Sequence, residues 1–281
     1  MTANTPLTLT VSIVVYDSEL SELALLLNSL RSSLETLAAS GLRVQTRISL
    51  IDNSDAQRLR PADIVRLQER TNLEPAELEL LTGHGNVGFG SGHNLAIRTS
   101  KSRYHLVLNP DVELASDSLA VGLNYLEQHP DVALISPYAE SGDGEQQYLC
   151  KRHPTLLVLF VRGFLPRIVR PLFKRYLAHY EMRDLAANST GADVPLASGC
   201  FMLCRTDQLQ AIGGFDEAYF LYFEDFDLSL RLGKIARLVY LPDMKIRHGG
   251  GNAAAKGLKH IRLYSRSAWR FFNTWGWRFI Q

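Results

Sequence analysis

The sequence is short of cysteine, short of net charge and short of long apolar runs, and each shortage closes off a class of function. Its three cysteines, Cys150, Cys200 and Cys204, are too few for a disulfide framework. Cys200 and Cys204 also lack the second ligand pair of a structural zinc site, so all three are expected as reduced core thiols. Thirty basic residues stand against twenty-nine acidic ones, so no global field draws the chain onto nucleic acid or a membrane; any such attraction must be local. No stretch approaches the roughly 20 apolar residues that cross a bilayer. The nearest, Leu156 to Val161, is ended by Arg162. Neither a basic start nor an apolar stretch precedes the first strand, so no secretory signal is expected and the protein is expected in the cytoplasm. No internal repeat or low-complexity segment is present.

What the chain does have is 281 residues with 46% hydrophobic content, enough to bury one sizeable α/β core. Its first half alternates β-branched runs with amphipathic stretches, the pattern of a mostly parallel, Rossmann-like sheet flanked by helices. Strands are predicted at Val11–Tyr16, Arg47–Ile51, Glu77–Leu81 and Tyr104–Leu108. Helices are predicted at Glu19–Ala39, with Leu23, Leu26, Leu27, Leu30, Leu34 and Leu37 at helical spacing, and at Gly92–Ser100. Ligands of open parallel sheets sit at the carboxyl ends of the strands. Those ends carry Tyr16-Asp17, Asp52-Asn53, Gly83–Gly92 and Asn109-Pro110-Asp111. The alternation is read as stopping after Pro137. Lys151–Tyr180 then holds seven Lys or Arg and no acid, and is expected as part of a basic helical insertion over about residues 151–185. Residues 1–250 are read as the catalytic domain, and 251–281 as a basic, aromatic, amphipathic helical tail.

Four clusters suggest chemistry. A carboxylate at Asp111, presented by the rigid Asn109-Pro110 turn beyond the strand Tyr104–Leu108, suits Mg²⁺ or Mn²⁺, which prefer oxygen ligands and neutralise a leaving diphosphate; a strand-ending turn explains the same tripeptide. Gly83-His84-Gly85-Asn86-Val87-Gly88 fits the dinucleotide fingerprint between strand and helix. It sits after the third strand, however, and a nicotinamide enzyme leaves the later acidic cluster unexplained. A glycine loop against a sugar nucleotide, with Asn86 and Asn94 as polar contacts, accounts for the same residues. Glu224-Asp225-Phe226-Asp227 opens a helix behind the aromatic run Tyr219–Phe223. Acids favour helix N-termini, but a carboxylate in an aromatic wall also suits a general base, for which Asp225 is the candidate. His248, ahead of Gly249-Gly250-Gly251, is a candidate second metal ligand, although a lone histidine is more often structural.

Together these stretches resemble the inverting family 2 glycosyltransferases, in particular the rhamnosyltransferase-like members. The matching pieces are Val11–Tyr16, Ile51–Ser54, Gly85–Gly90 through Asn94, Leu108–Asp111, Ser198–Met202, Gly213–Asp227, and His248 with Gly250. The resemblance implies a GT-A fold and transfer of a sugar from a nucleotide-diphosphate donor, L-rhamnose from dTDP-rhamnose, to a lipid-linked glycan in bacterial surface polysaccharide synthesis. It implies that Asp52 reads the base and that Tyr16, Asn86, Gly88, Asn94, Asn109 and Asp111 face the donor. Gly199 and Glu224 would face the acceptor, Asp225 would be the base, and Asp111 with His248 would hold the divalent metal, Mg²⁺ or Mn²⁺. Asn109 replaces the aspartate of many members, as in the rhamnosyl subset, and the loop after His248 lacks the family's common serine. A nucleotide-sugar-forming nucleotidyltransferase needs a glycine-rich, basic loop after the first strand, and Tyr16-Asp17-Ser18-Glu19 offers neither. A non-catalytic glycan- or lipid-binding module is the remaining alternative. The basic stretch and the tail, with Trp269, Phe271, Phe272, Trp275, Trp277 and Phe279, resemble membrane-interface segments, so peripheral contact with the inner face of the cytoplasmic membrane is expected. A basic hairpin and a terminal helix packed on the core explain the same pattern. Two isolated segments make a poor nucleic-acid groove.

Overall fold

The computed structural model describes residues 6–73, 77–163, 165, 168, 170–185, 189–249 and 258–280. The β-branched runs of the first half form β1 (Leu7–Val15), β2 (Val44–Asp52), β3 (Leu78–Leu81) and β4 (Tyr104–Leu108). Between them lie α1 (Leu20–Ala39), α2 (Pro61–Thr71) and α3 (Phe89–Thr99). β1 pairs parallel with both β2 and β4, and β2 with β3, so the four predicted strands are the parallel block. α1 buries Leu23, Leu26, Leu27, Leu30 and Leu37, the stripe its spacing predicts. α2 starts on Pro61, whose fixed φ suits a first turn, and Asp63 accepts the Arg60 N–H at 3.0 Å.

The second half adds β5 (Val112–Leu114), α4 (Ser118–Gln128), β6 (Val132–Glu140), β7 (Gln146–Gln147), α5 (Leu156–Gly163), α6 (Lys174–Tyr180), β8 (Ala192–Asp193), β9 (Phe201–Arg205), α7 (Thr206–Ala211), α8 (Glu224–Leu232), β10 (Arg237–His248) and α9 (Leu258–Trp275). The sheet runs β3-β2-β1-β4-β9-β6-β10-β5, with β7 on β6 and β8 on β10. β9 lies antiparallel between β4 and β6, and β6 and β10 are parallel. Past Pro137, where the strand–helix alternation is read as stopping, β6 runs on to Glu140. Proline is tolerated there because β9 pairs only with Leu134 and Ile135, and the β10 register shifts just after the Leu241–Pro137 pair.

Alternate residues of each strand feed two apolar layers. On β4, Leu106 and Leu108 join α1 and α4, while Val107 joins Ile97 of α3, Leu209 of α7, and Leu228 and Leu232 of α8. Inside the parallel block, Ser12 Oγ lies 2.7 Å from His93 Nδ1 and 2.8 Å from His105 Nε2, all three fully buried. Burial drives both imidazoles toward the neutral form, His105 down to about 3.

The basic stretch forms α5 and α6, and α9 docks on the core. Phe271 and Phe272 of α9 are buried with Leu159 of α5, Tyr219 and Phe223. Just beyond α9, the carbonyls of Arg278 and Phe279 accept the N–H groups of Leu156 and Leu157 at 2.9 and 3.2 Å. The expected boundary at 250/251 and the glycines Gly250 and Gly251 lie outside the described residues. Among the described residues, no helix is long and apolar enough to cross a membrane.

Candidate active site

The chain winds from β1 out to β2 and β3, then returns to place β4 on the other side of β1. The adjacent carboxyl ends of β1 and β4 therefore mark the switch point at which open α/β sheets bind ligands. A cavity of about 820 Å³ opens there, lined by Tyr16 and Asp17 after β1 and by Asn109, Pro110 and Asp111 after β4. The fingerprint-like glycine loop follows β3, the edge strand, and not the first strand as the dinucleotide fingerprint requires.

Because β9 runs antiparallel to β4, its entry residues Ser198–Cys200 sit beside the β4 exit. Asn109 N–H donates to the Cys200 carbonyl at 2.9 Å, and the adjacent Gly199 N–H donates to Asp225 Oδ2 at 3.0 Å. Two neighbouring residues thus tie the Asp111 turn to the start of α8, and Asp111 and Asp225, 114 positions apart in sequence, line one cavity. Gly199 is required at this joint: a Cβ would stand 2.9 Å from the Phe89 ring and 3.3 Å from Asp225 Cβ.

Tyr222 and Phe223, ahead of α8, both take left-handed backbone, at φ 73° and 66°. Such conformations cost about 1–3 kcal/mol each and persist where surrounding structure imposes them. Here they turn the chain so that Glu224 and Asp225 enter the first helical turn facing the cavity. Asp225 Oδ1 also accepts the Phe226 N–H at 2.9 Å. Glu224 Oε2 is buried without a hydrogen-bond partner among the described residues. Burial, then the charge of Asp225, pushes the Glu224 carboxyl well up; burial also raises Asp225, against the backbone N–H groups and Lys151. Of the two carboxyls, Glu224 is the more strongly disfavoured as an anion, and a carboxylate with a raised pKa, as at Asp225, is a stronger base.

On the opposite wall, His248 Nε2 lies 3.4 Å from Asp111 Oδ2. Gln147 fixes that ring from behind: its Nε2 donates to the His248 carbonyl at 3.0 Å, so its Oε1 accepts from Nδ1 at 2.7 Å. Nδ1 then carries a proton, and Nε2 is the ring atom that faces Asp111. Burial opposes ionisation of Asp111, but hydrogen bonding and charge from His248 hold its carboxyl below the usual range. Glu22 of α1 also lines the cavity; burial first, then the Asp111 charge, raises its pKa. Among the described residues no cluster of three or more His, Cys, Asp or Glu is arranged to hold a metal.

The remaining predicted residues divide. Asn86 and Gly88 line the cavity, and Asn86 Oδ1 accepts the Gly88 N–H at 3.1 Å. Gly88 has φ 92°, and a Cβ there would collide with the Phe220 carbonyl, which itself accepts the Phe89 N–H at 3.0 Å. Asp52 does not line the cavity. Its two oxygens accept the Ser54 and Leu59 N–H groups, both at 2.9 Å. The next residue, Asn53, takes the lining position, its amide donating to the Gly88 carbonyl at 2.7 Å. Asn94 is also outside the lining: its amide donates to the Phe215 carbonyl and Glu217 and accepts the Phe215 N–H. Sequence reasoning missed Gln147, Asn53 and Glu22, and also the wall formed by Tyr148, Lys151, Arg162, Tyr180, His260 and Tyr264. The basic character of residues 151–180 was the one signal that pointed toward that wall.

Residues 10–213, well over half of the chain, match the family described as "Glycosyl transferase family 2". An N-acetylglucosaminyl-diphospho-decaprenol L-rhamnosyltransferase of Mycobacterium tuberculosis is 26% identical over 207 residues, covering 69% of this chain and 66% of that protein. Rhamnosyltransferase WbbL of Escherichia coli is 28% identical over 182 residues, covering 62% of this chain and 64% of that protein. The chain thus aligns with just under two thirds of each relative's length. Among solved structures, the mannosyltransferase PcManGT of Pyrobaculum calidifontis, in complex with GDP-Man and Mn²⁺, superposes with a TM-score of 0.57 at 16% identity, covering 93% of this chain and 64% of that one. That likeness shows the fold, the expected GT-A arrangement. By its strand order, its crevice and its sequence, the chain belongs to glycosyl transferase family 2.

Proposed function

We propose that the protein transfers L-rhamnose, with inversion, from a thymidine-diphosphate donor to a hydroxyl of a lipid-diphosphate-linked glycan in surface polysaccharide synthesis. The observation that carries the reading is the placement of Asp111 and Asp225 on one cavity, joined through Gly199 and Cys200. The names of the two curated relatives support the choice of sugar, and that of the mycobacterial relative supports the acceptor class.

The donor lies across the ends of β1 and β4, against Tyr16, Asn53, Asn86, Gly88 and Asn109. Asp52 shapes the loop beside the base, and Asn94 fastens α3 to the turn before α8. Asp225 accepts the proton of the acceptor hydroxyl as its oxygen attacks the anomeric carbon from the face opposite the diphosphate. One displacement breaks the bond to the diphosphate and inverts the carbon, with no sugar bound to the enzyme in between. Gly199 holds the base by its N–H, and Glu224, kept protonated, donates to an acceptor oxygen.

The residues present fit a divalent cation. Donor atoms on adjacent corners of an octahedral site with ligands at about 2.1 Å stand about 3 Å apart, close to the 3.4 Å between Asp111 Oδ2 and His248 Nε2, and Gln147 orients the imidazole. Asp111 and His248 would hold Mg²⁺ or Mn²⁺, which supplies Lewis-acid neutralisation of the leaving diphosphate. Phe160 of α5, Ile168, Leu172, Trp269 of α9, Phe279 and Ile280 are exposed, and such side chains would rest on the inner face of the cytoplasmic membrane.

Asp225→Asn tests the reading. It is expected to leave nucleotide-sugar binding intact while turnover falls by about 10²–10⁴. Wild-type-like turnover in that variant would reject it.

A further inference from the structure

One wall of the cavity is cationic and has no part in the chemistry described so far. Lys151 follows β7 and Arg162 lies in the last turn of α5; both line the cavity and flank one aromatic ring. The Lys151 ammonium lies 5.9 Å and the Arg162 guanidinium 5.5 Å from the centre of the Tyr180 ring. Among the described residues, the half-buried ammonium donates to one acceptor, the Tyr148 carbonyl. Arg162 pairs with Glu181 at 2.9 Å, which also binds Arg183 at 2.6 Å. The cluster of Lys151, Arg162, Arg183 and Glu181 thus keeps a positive excess. Burial first, then the charge of Arg162, pushes the Lys151 amine down to about 8. An anion between the two cations would relieve both effects.

We infer that Lys151 and Arg162 form a phosphate-binding subsite on the acceptor side of the cavity, which takes the diphosphate that links the acceptor sugar to its lipid. The inference rests on the transfer reaction proposed above. The donor diphosphate is accounted for at the ends of β1 and β4, beside Asp111 and His248, whereas Lys151 is close enough to Asp225 for its charge to stabilise that carboxylate. A hydroxyl at Asp225 therefore places the anomeric phosphate of its own sugar one ring away, toward Lys151 and Arg162. The lipid then has a path outward. α5, which brings Arg162 into the cavity, exposes Phe160 at 54% on the same helix, and residues 278 and 279 pack along its start. Two cations able to donate several charge-assisted hydrogen bonds suit a diphosphate in particular.

The test is binding of citronellyl diphosphate, a short soluble prenyl diphosphate without sugar, measured by calorimetry on the full chain. Lys151→Gln and Arg162→Gln are each expected to weaken it about tenfold or more, the loss typical of a charge-assisted contact. Lys151→Arg should retain binding, as should Lys101→Gln, a surface control at the opposite end of β4, and His248→Ala. Unchanged nucleotide binding by Lys151→Gln shows that the variant is folded. Equal affinity in Lys151→Gln and wild type, or no binding by wild type, would overturn the subsite. Weakening by His248→Ala alone would place the anion in the donor site and also overturn it. So would loss of phosphatidylglycerol vesicle binding by Lys151→Gln with citronellyl diphosphate affinity unchanged, since Lys151 would then touch only lipid headgroups. Failure of the transfer reading shows separately, as wild-type protein that transfers no sugar to a glycan diphosphate lipid while citronellyl diphosphate still binds.

Discussion

At the scale of single residues, the site separates chemically similar side chains by their surroundings. Glu224 and Asp225 are adjacent carboxyls at one helix start, yet Asp225 accepts two backbone N–H groups while Glu224 has a buried oxygen without a donor among the described residues. Glu224→Gln, which mimics the protonated acid, is therefore expected to keep turnover within several-fold of wild type, in contrast to the collapse in Asp225→Asn; steady-state kinetics of the two variants decide the assignment. Gln147 contacts His248 on the side away from Asp111, and Gln147→Leu leaves the ring free to turn. Loss of such an outer contact typically weakens metal binding about 10- to 100-fold, and titration of Mn²⁺ followed by electron paramagnetic resonance reads the change directly. Side chains next to each other at a strand end are the hardest to assign from sequence. Asp52 and Asn53 occupy consecutive positions, and only the backbone path reveals that Asn53 lines the cavity while Asp52 ties down the following loop. Asn94 shows the same limit, since a motif match does not distinguish an amide that meets a ligand from one that fastens two segments.

At the scale of elements, β1 to β4, α1 and α3 were legible from their apolar periodicity, whereas α2 was not read from the sequence. β4 begins and ends where its apolar run does, and α1 buries five of the six leucines of its predicted stripe while Leu34 is half-buried. β7 has two residues, too short for any period, so Gln147 gave no signal. β6 was not read as a strand, and its proline is tolerated through a pairing partner far along the chain. Asp111 and Asp225 were legible as a carboxylate on a turn after a strand and one at a helix start, but their meeting requires the antiparallel insertion of β9 beside β4, which no local pattern encodes. The tail helix was read from its aromatic, basic composition, and its docking follows from Phe271 and Phe272, each 1% exposed. Phe271→Ala is expected to cost about 3–5 kcal/mol, the range for a buried aromatic truncated to a methyl group, measured by urea unfolding. Because His260 and Tyr264 of the same helix line the cavity, the variant should also show weakened acceptor affinity.

At the scale of the whole molecule, the buried Ser12–His93–His105 group links stability to acidity. Both imidazoles have folded-state pKa values below the ordinary 6.5, His105 near 3. Below pH 6.5 the unfolded chain takes up protons that the folded chain does not, so their contribution is complete above 6.5 and is lost as pH falls toward 3. The slope is up to about 1.4 kcal/mol per pH unit per histidine. Urea unfolding at pH 7.5, 6.0 and 5.0 should show the decline, and His105→Gln should have a shallower one; parallel slopes would refute the account. The exposed apolar surface beside α5 and α9 is expected to bring the protein down with phosphatidylglycerol liposomes in a sedimentation assay, and Ile280→Asp to reduce the pelleted fraction several-fold.

The close approach of Gly88 to the Phe220 carbonyl, reinforced by the Phe89 N–H, makes the floor of the nucleotide half and the approach to α8 a single mechanical piece. On the proposed reading, a nucleotide sugar resting on that glycine would also steady Tyr222 and Phe223, and through them the carboxylate proposed to meet the incoming alcohol. The kinetic expression expected of this joint is compulsory order, checked by product inhibition: donor first, acceptor second, with the spent nucleoside diphosphate, the last product to depart, competing with the donor.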